Sequence, residues 1–367
     1  MKAVFRQNSS GVAILVVMIA IAVFTALAAA LAFSMKVETK LAMNADNEQQ
    51  MLWLGRSGVE YARWILAQEA SLAGQPYDSL NEIWAGGPGA NGETNSVLAG
   101  ISLDNYEIRN QQTGELLGTV SLKIIDLERY ANINTANAAV LQQALTVMGV
   151  DADDISVVSD SIQDWRSAAA APRVAGAESD YYQSLTPPYY AKNAPIDDLS
   201  ELLLVKGVTP EMYYGGGSSN SPAQPQRPKL GLGTSPDQVP DYPFGLKDVF
   251  TAVSSGRINV NTADANVLQL IPGVDATIAA AIIQQRAGPD GVDGTEDDTP
   301  FRNAAGALQS AGLNPASANQ AANLLTTRSS TFEVHVTAQI GDATREFTAI
   351  ILRNTGTDVQ VVGFYWK

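Results

Sequence analysis

Residues 12–33 run almost without a polar side chain, and no other feature of the 367-residue sequence narrows the fold so far. Thr25 is the one hydroxyl residue in that run. Twenty-two helical residues at about 1.5 Å each match the ~30 Å hydrocarbon core of a bilayer. Lys2 and Arg6 precede the run with no acid beside them, so the positive-inside rule keeps that end cytoplasmic and sends the rest outward. A secretory signal has a shorter apolar core and a cleavage boundary after it. Here the helical pattern continues through Lys36, Lys40 and Trp53 to about Gln68, and nothing interrupts it before Gly74 and Pro76.

An eleven-residue pattern occurs twice, 127 positions apart: Asn132-Ile133-Asn134-Thr135-Ala136-Asn137-Ala138-Ala139-Val140-Leu141-Gln142 and Asn259-Val260-Asn261-Thr262-Ala263-Asp264-Ala265-Asn266-Val267-Leu268-Gln269. Such self-similarity marks two related helical units that open alike. Asn and Thr are expected to satisfy free N–H groups at each helix start, ahead of Ala, Val and Leu at helical spacing.

Around these anchors the sequence divides into a leader (1–11), an N-terminal transmembrane and amphipathic helix (12–70), a first part of a sheet (71–126), a first helical domain (127–214), a Pro/Gly-rich linker with a short helix at 246–253 (215–256), a second helical domain with an acidic loop (257–328) and C-terminal strands (329–367). Leu41, Met51, Leu52, Leu54, Val59, Tyr61, Trp64, Ile65 and Leu66 are expected to form one buried helix face. Turn signals fall at Gly86-Gly87-Pro88-Gly89 and Asn91-Gly92. Residues 106–110 and 117–126 read as a strand pair turning at Thr113-Gly114, and 332–340, 346–352 and 359–365 as three antiparallel strands. The fold class is therefore α+β: a long helix packed on an antiparallel sheet, with two helical insertions.

Composition excludes several functions. The formal net charge of −15 opposes nucleic acid, which is bound through clustered Lys and Arg. With no cysteine there is no thiol chemistry and no thiolate metal site, and one histidine, His335, cannot build a multi-imidazole centre. His335 reads as a strand residue. No nucleophile–base pair or phosphate loop is present, so no enzymatic activity is expected.

The second helical unit is similar to a helix-hairpin-helix, with a hairpin at Ile271-Pro272-Gly273-Val274-Asp275; Gly207-Val208-Thr209 is the analogue in the first unit. DNA-binding versions carry a second Gly where Asp275 stands, so a packing or protein-contact module is expected. Within residues 288–301, five carboxylates (Asp290, Asp293, Glu296, Asp297 and Asp298) fall in nine positions among glycines. Hard oxygen donors gathered on tight turns suit Ca²⁺, so this loop is expected to hold that ion, although its spacing is not that of an EF-hand.

Gly11 stands between the basic leader and the apolar helix, which resembles the precursors of the type IV pilin-like family. That resemblance implies cleavage after Gly11 by a prepilin peptidase and methylation of Val12. Most family members carry Glu five residues into the mature chain, where it is thought to pair with the amine of the preceding subunit. This chain has Val16 there, as suits a subunit that enters first. Asp164-Trp165-Arg166, Gly176-Ala177-Glu178, Tyr181-Tyr182, Pro187-Pro188-Tyr189, Leu199-Ser200-Glu201-Leu202, Lys206-Gly207-Val208-Thr209 and the stretch from Gly256 to Ala263 together resemble the protein K family of type II secretion pseudopilins, over nearly the whole chain. Where that family often has acids after the Asp-Trp pair, this chain has Ser167 and four alanines, which weakens any metal site with Asp164, Glu178 and Asp180. Trp165, Tyr181, Tyr182 and Tyr189 read as packing residues.

The resemblance implies a minor pseudopilin at the tip of a periplasmic pseudopilus. It would initiate or cap assembly in support of protein export, and its partners would be other minor pseudopilins, contacted along the helix at Leu15, Val16, Ile19 and Val23. The inner membrane and the prepilin peptidase are the other expected partners, with the head in the periplasm. The alternative is a pilin-like component of a type IV pilus or a DNA-uptake machine.

Overall fold

The computed structural model describes residues 10–72, 76–89, 97–168, 171–216 and 242–366. The expected leader before Ser10, the turn at Asn91-Gly92 and linker residues 217–241 lie outside the described residues.

Helix α1 (Ser10–Ala70) is unbroken over 61 residues. Its first part, Ala13–Leu41, has a mean hydropathy of 2.9, is nowhere buried, and is long and apolar enough to cross a membrane. Its last part lies on a sheet. The sheet strands are β1 (Tyr106–Arg109) and β2 (Leu116–Asp126), followed near the C-terminus by three longer strands. Between the two groups sits a helical body containing four two-residue strands: β3 (Ala131–Asn132), β4 (Phe250–Thr251), β5 (Ile258–Asn259) and β6 (Leu325–Thr326). The late strands are β7 (Thr331–Ile340), β8 (Ala343–Thr355) and β9 (Asp358–Trp366). The five-stranded order is β1-β2-β7-β8-β9, antiparallel throughout.

Period-2 alternation puts Val120, Leu122 and Ile124 of β2 on the same face as Phe332, Val334 and Val336 of β7, where they meet Met51, Leu54, Val59, Ala62, Ile65 and Leu66 of α1 in one apolar core. Gly55 and Gly58 let helix and sheet approach. A Cβ at Gly55 would stand 2.5 Å from the Phe347 ring, and one at Gly58 would collide with Val336. The expected helix face is narrower than its apolar pattern. Leu41 is exposed because the sheet does not reach it, and Trp64 is 39% exposed, stacked beside Tyr61.

Asp126 of β2 is register partner to Phe332 of β7, so the chain leaves the sheet and returns at the same end. Everything between is inserted there. The helices are α2 (Ala138–Met148), α3 (Ala152–Trp165), α4 (Ser179–Gln183), α5 (Pro210–Tyr214), α6 (Leu246–Val249), α7 (Ala265–Leu268), α8 (Ala276–Arg286), α9 (Ala304–Ser310) and α10 (Pro315–Ala321). Short parallel pairs, β3 with β4 and β5 with β6, tie the two ends of each unit together. One apolar core from Ala131 to Leu325 runs through both units. The expected helix over 246–253 is shorter: after Val249 the chain extends as β4, because Phe250 and Thr251 are taken up in pairing with β3.

Candidate functional site

The repeated sequence builds the same bracket twice. Asn132 Oδ1 accepts from the N–H of Asn134 at 2.8 Å, and Asn259 Oδ1 from that of Asn261 at 3.0 Å. The next Asn of each copy grips a distant backbone from both sides. Asn134 donates to the carbonyl of Ile196 (2.9 Å) and accepts from its N–H (2.8 Å); Asn261 does the same to Phe301 at 2.9 and 2.8 Å. Helix capping therefore falls further along than the Asn-x-Asn-Thr start. Asn137 caps α2 through Val140 N–H, and Asp264 caps α7 through Val267 N–H. The early residues brace the turn instead.

An arginine locks each bracket. Arg286, at the end of α8, donates to the carbonyls of Val260 (2.8 Å) and Ala263 (2.7 Å). Arg166, just after α3, donates to the equivalent carbonyls of Ile133 and Ala136. Sequence reading missed both arginines. The signal was available, since each stands at the C-terminal end of the second helix of a repeat, but only alignment of the two units would expose it.

Asp275 accepts from the N–H groups of Thr277 and Ile278, both at 2.9 Å. Its carboxylate thus occupies the helix N-terminal donors that a DNA phosphate uses in hairpins of this kind. In the first unit Thr209 caps α5 in the same manner, through Met212 N–H. Both hairpins are closed by their own side chains.

In the acidic loop the carboxylates serve several separate partners. Asp293 is bound to Arg286 at 2.7 Å. Asp290 accepts from Val292 N–H, and Asp297 from Asp290 N–H and the Thr295 hydroxyl. Asp298 accepts from Gly294 and Thr295 N–H. The Thr295 hydroxyl holds the Asp297 carboxyl below its usual range, whereas burial, with Asp293 nearby, raises that of Asp298. Gly288, Gly291 and Gly294 all take positive φ, which builds the tight turns. Hard oxygens crowd the loop. Yet among the described residues no three acidic or histidine side chains converge in an arrangement that could hold a metal ion. The donor chemistry fits Ca²⁺ and the present arrangement does not, chiefly because Asp293 is committed to Arg286.

Asp164 is fully buried and paired with Arg173 at 2.6 Å. Trp165 and Tyr182 are buried edge-to-face at 5.2 Å, and Tyr189 stacks on Tyr182 at 5.3 Å. Tyr181 is more exposed, with the Lys206 ammonium 5.1 Å from its ring centre. His335 lies on β7, 3.1 Å from Glu333.

Of the assembly-helix residues, Leu15, Val16, Ile19 and Val23 are all more than half exposed, with Leu15, Ile19 and Val23 stacked at four-residue spacing on one side of α1. Gly11 and Val12 fall in the first turn of α1, and their side chains lie outside what the structure describes.

Residues 117–214 match the family described as type II secretion system (T2SS), protein K, and residues 253–326 match the helix-hairpin-helix motif. Type II secretion system protein K of Pseudomonas aeruginosa is 23% identical over 299 residues, covering 80% of this chain and 77% of that protein. The protein of the same name from Pectobacterium carotovorum is 26% identical over 270 residues, 68% of this chain and 69% of the relative. The fold is similar to a chain in the crystal structure of the GspK-GspI-GspJ complex from the enterotoxigenic Escherichia coli type 2 secretion system. That likeness has a TM-score of 0.62 at 18% identity and covers 89% of this chain and 99% of that one. Family match, named relatives and shared fold agree: over most of its length the chain is similar to type II secretion system protein K.

Proposed function

We propose that this subunit stands at the tip of the type II secretion pseudopilus, initiating and capping its assembly, and so supports export across the outer membrane. The observation that carries the reading is the division of α1. Its first part leaves every apolar side chain uncovered, and its last part packs into the core of a large head. An apolar helix of this kind is stable in lipid, where it packs against other helices through van der Waals contact. Leu15, Val16, Ile19 and Val23 offer that face to neighbouring minor pseudopilins. A complex of a GspK with a GspI and a GspJ is the arrangement seen for the protein of similar fold, and it supports partners of that kind here.

In this reading prepilin peptidase cleaves after Gly11 and Val12 becomes the methylated N-terminus. The helix crosses the inner membrane once and the head lies in the periplasm. The helical body, inserted at one end of the sheet, would obstruct a further subunit above it. No step of this function asks for a catalytic residue. Ca²⁺ in the acidic loop belongs to the same proposal: Asp290, Glu296, Asp297 and Asp298 would hold it once the loop turns their oxygens inward. The ion would neutralise carboxylates that otherwise repel one another.

The test is co-purification of the full-length chain in detergent with the I- and J-type minor pseudopilins of the same organism, beside an exoprotein secretion assay. Wild type should retain both partners. Ile19→Arg with Val23→Arg should lose them and abolish secretion. Unchanged partner recovery and secretion in that variant would contradict the proposal.

A further inference from the structure

Where the helical body joins the sheet, the carboxyls of Asp78, Asp126 and Glu128 and the guanidinium of Arg353 are each at most 4% exposed. Arg353 of β8 is paired with Asp78 at 2.5 Å and donates to the Ser329 carbonyl at 2.8 Å. Glu128 is held by N–H and hydroxyl donors: Ser255 and Thr331 N–H at 3.0 Å, Ser330 Oγ at 2.9 Å and Thr331 Oγ1 at 3.1 Å. Among the described residues, no Lys, Arg or His is paired with Asp126. Its Oδ2 lies 2.6 Å from the Thr262 hydroxyl and 2.6 Å from that of Ser329, with the Asn259 amide at 3.2 Å; its Oδ1 accepts from Glu128 N–H at 2.8 Å. These partners belong to three parts of the molecule: the end of β2, the start of the second helical unit and the return into β7.

A cleft of about 230 Å³ reaches Asp126, lined also by Trp84, Asp104, Lys123, Arg129 and Thr262. It opens to solvent beside Asp126, and a proton reaching the carboxyl would pass there. Glu128 and Asp78 repel a charge on Asp126, Arg353 is spent on Asp78, and Glu69 and Glu82 stand behind Arg353. Lys123 and Arg129 line the cleft.

We propose that Asp126 is a proton-operated latch between sheet and helical body. While its carboxyl carries a proton, the proton is donated to the Thr262 hydroxyl 2.6 Å away, which turns to accept it, and Ser329, Asn259 and Glu128 N–H go on donating to the carboxyl, so the junction holds one network. When the proton leaves through the cleft, an unpaired negative charge is buried beside Glu128 and Asp78 and the helical body loosens from the sheet. Burial, then the charge of Glu128, raises the Asp126 carboxyl to about 7, against the opposing hydroxyls of Ser329 and Thr262. The latch therefore works near neutrality. It rests on the junction alone and is independent of the assembly role.

Hydrogen exchange of the full-length protein in detergent at pH 6 and pH 8, corrected for intrinsic rates, tests this. In wild type, protection of the backbone around residues 259–262 and 327–331 should fall about tenfold between the two, as linkage requires for a group titrating near 7 when the junction is closed and near 4 when it is open. Asp126→Asn should keep the same protection at both. Equal protection in wild type at the two pH values, or a tenfold loss persisting in D126N, would overturn the latch. Infrared difference spectra give a second readout that does not depend on the opening itself. The C=O stretch of a protonated carboxylic acid should be present at pH 6, lost by pH 8, and absent from D126N; a band insensitive to pH or still present in the variant would overturn it too.

Discussion

Arg286 holds the carbonyls of Val260 and Ala263 as Arg166 holds those of Ile133 and Ala136, so two arginines pin two copies of one turn. The copies differ in burial. Arg286 is 4% exposed and is also paired with Asp293, which ties the acidic loop to the bracket. Arg166 is only partly buried; desolvation and the neighbouring Arg173 pull its guanidinium below the usual range.

Replacing Arg286 by Met leaves two buried carbonyls and Asp293 without their partner. The expected loss is about 3–5 kcal/mol, the range for breaking one side of a buried ion pair. Arg286→Lys should recover only part, since an ammonium lacks the planar fork that serves two carbonyls and a carboxylate together. Urea denaturation of the full-length variants checks both; an Arg286→Met midpoint within error of wild type contradicts the pinning.

Two glycine substitutions should move stability in opposite directions. Gly58→Ala gains about 1 kcal/mol of helix propensity. It also drives a Cβ into Val336, with Leu122 at 3.4 Å behind it. Val336 is β-branched and fixed in a central strand, so it cannot step aside. Overpacking costs about 1–3 kcal/mol, and the net should be destabilising. At Gly306 of α9 an added Cβ meets only the Cβ of Asn303, at 3.8 Å. Gly306→Ala should therefore stabilise by up to about 1 kcal/mol. Thermal melts of the pair decide whether helix–sheet contact at Gly58 is as close as described.

Asp126 sets a pH trend with a definite sign. Its folded-state carboxyl is raised to about 7 from an ordinary value of 3.8. Between about pH 4 and pH 7 the folded protein keeps a proton that the unfolded chain has released. Its contribution is fully present below about pH 4 and is lost as pH rises through about 7. The loss is on the order of 4 kcal/mol for a shift of this size. Asp126→Asn removes it, so the stability difference between variant and wild type should grow in the variant's favour from pH 4 to 7 and then level off. A difference independent of pH contradicts the assignment.

The acidic loop predicts a calcium response. Binding to the folded state alone raises the melting temperature in proportion to RT ln(1 + [L]/Kd). Adding Ca²⁺ to chelator-treated full-length protein should therefore raise the melt, and the double change Asp297→Ala with Asp298→Ala should erase the response while preserving the fold. No shift on adding Ca²⁺ to wild type ends the calcium proposal.

The strands were legible because Val120, Leu122 and Ile124, and Phe332, Val334 and Val336, alternate with polar neighbours and face one core. The long helix was legible from its uninterrupted apolar run. Trp64 misled, because apolarity does not say which side of α1 the sheet covers. Phe250 and Thr251 misled because a two-residue strand carries no period of its own. The Asp78–Arg353 pair and the Asp126 junction left no sequence signal at all. They join residues hundreds of positions apart, and a buried charge reads as a surface charge until the fold closes over it.

The mature N-terminus decides the central claim. Mass spectrometry of the protein recovered from the membrane fraction should find a chain beginning at N-methylated Val12, the mark of prepilin processing and entry into a pseudopilus. A chain that still begins at Met1 would make the long helix a simple anchor and contradict the assembly role.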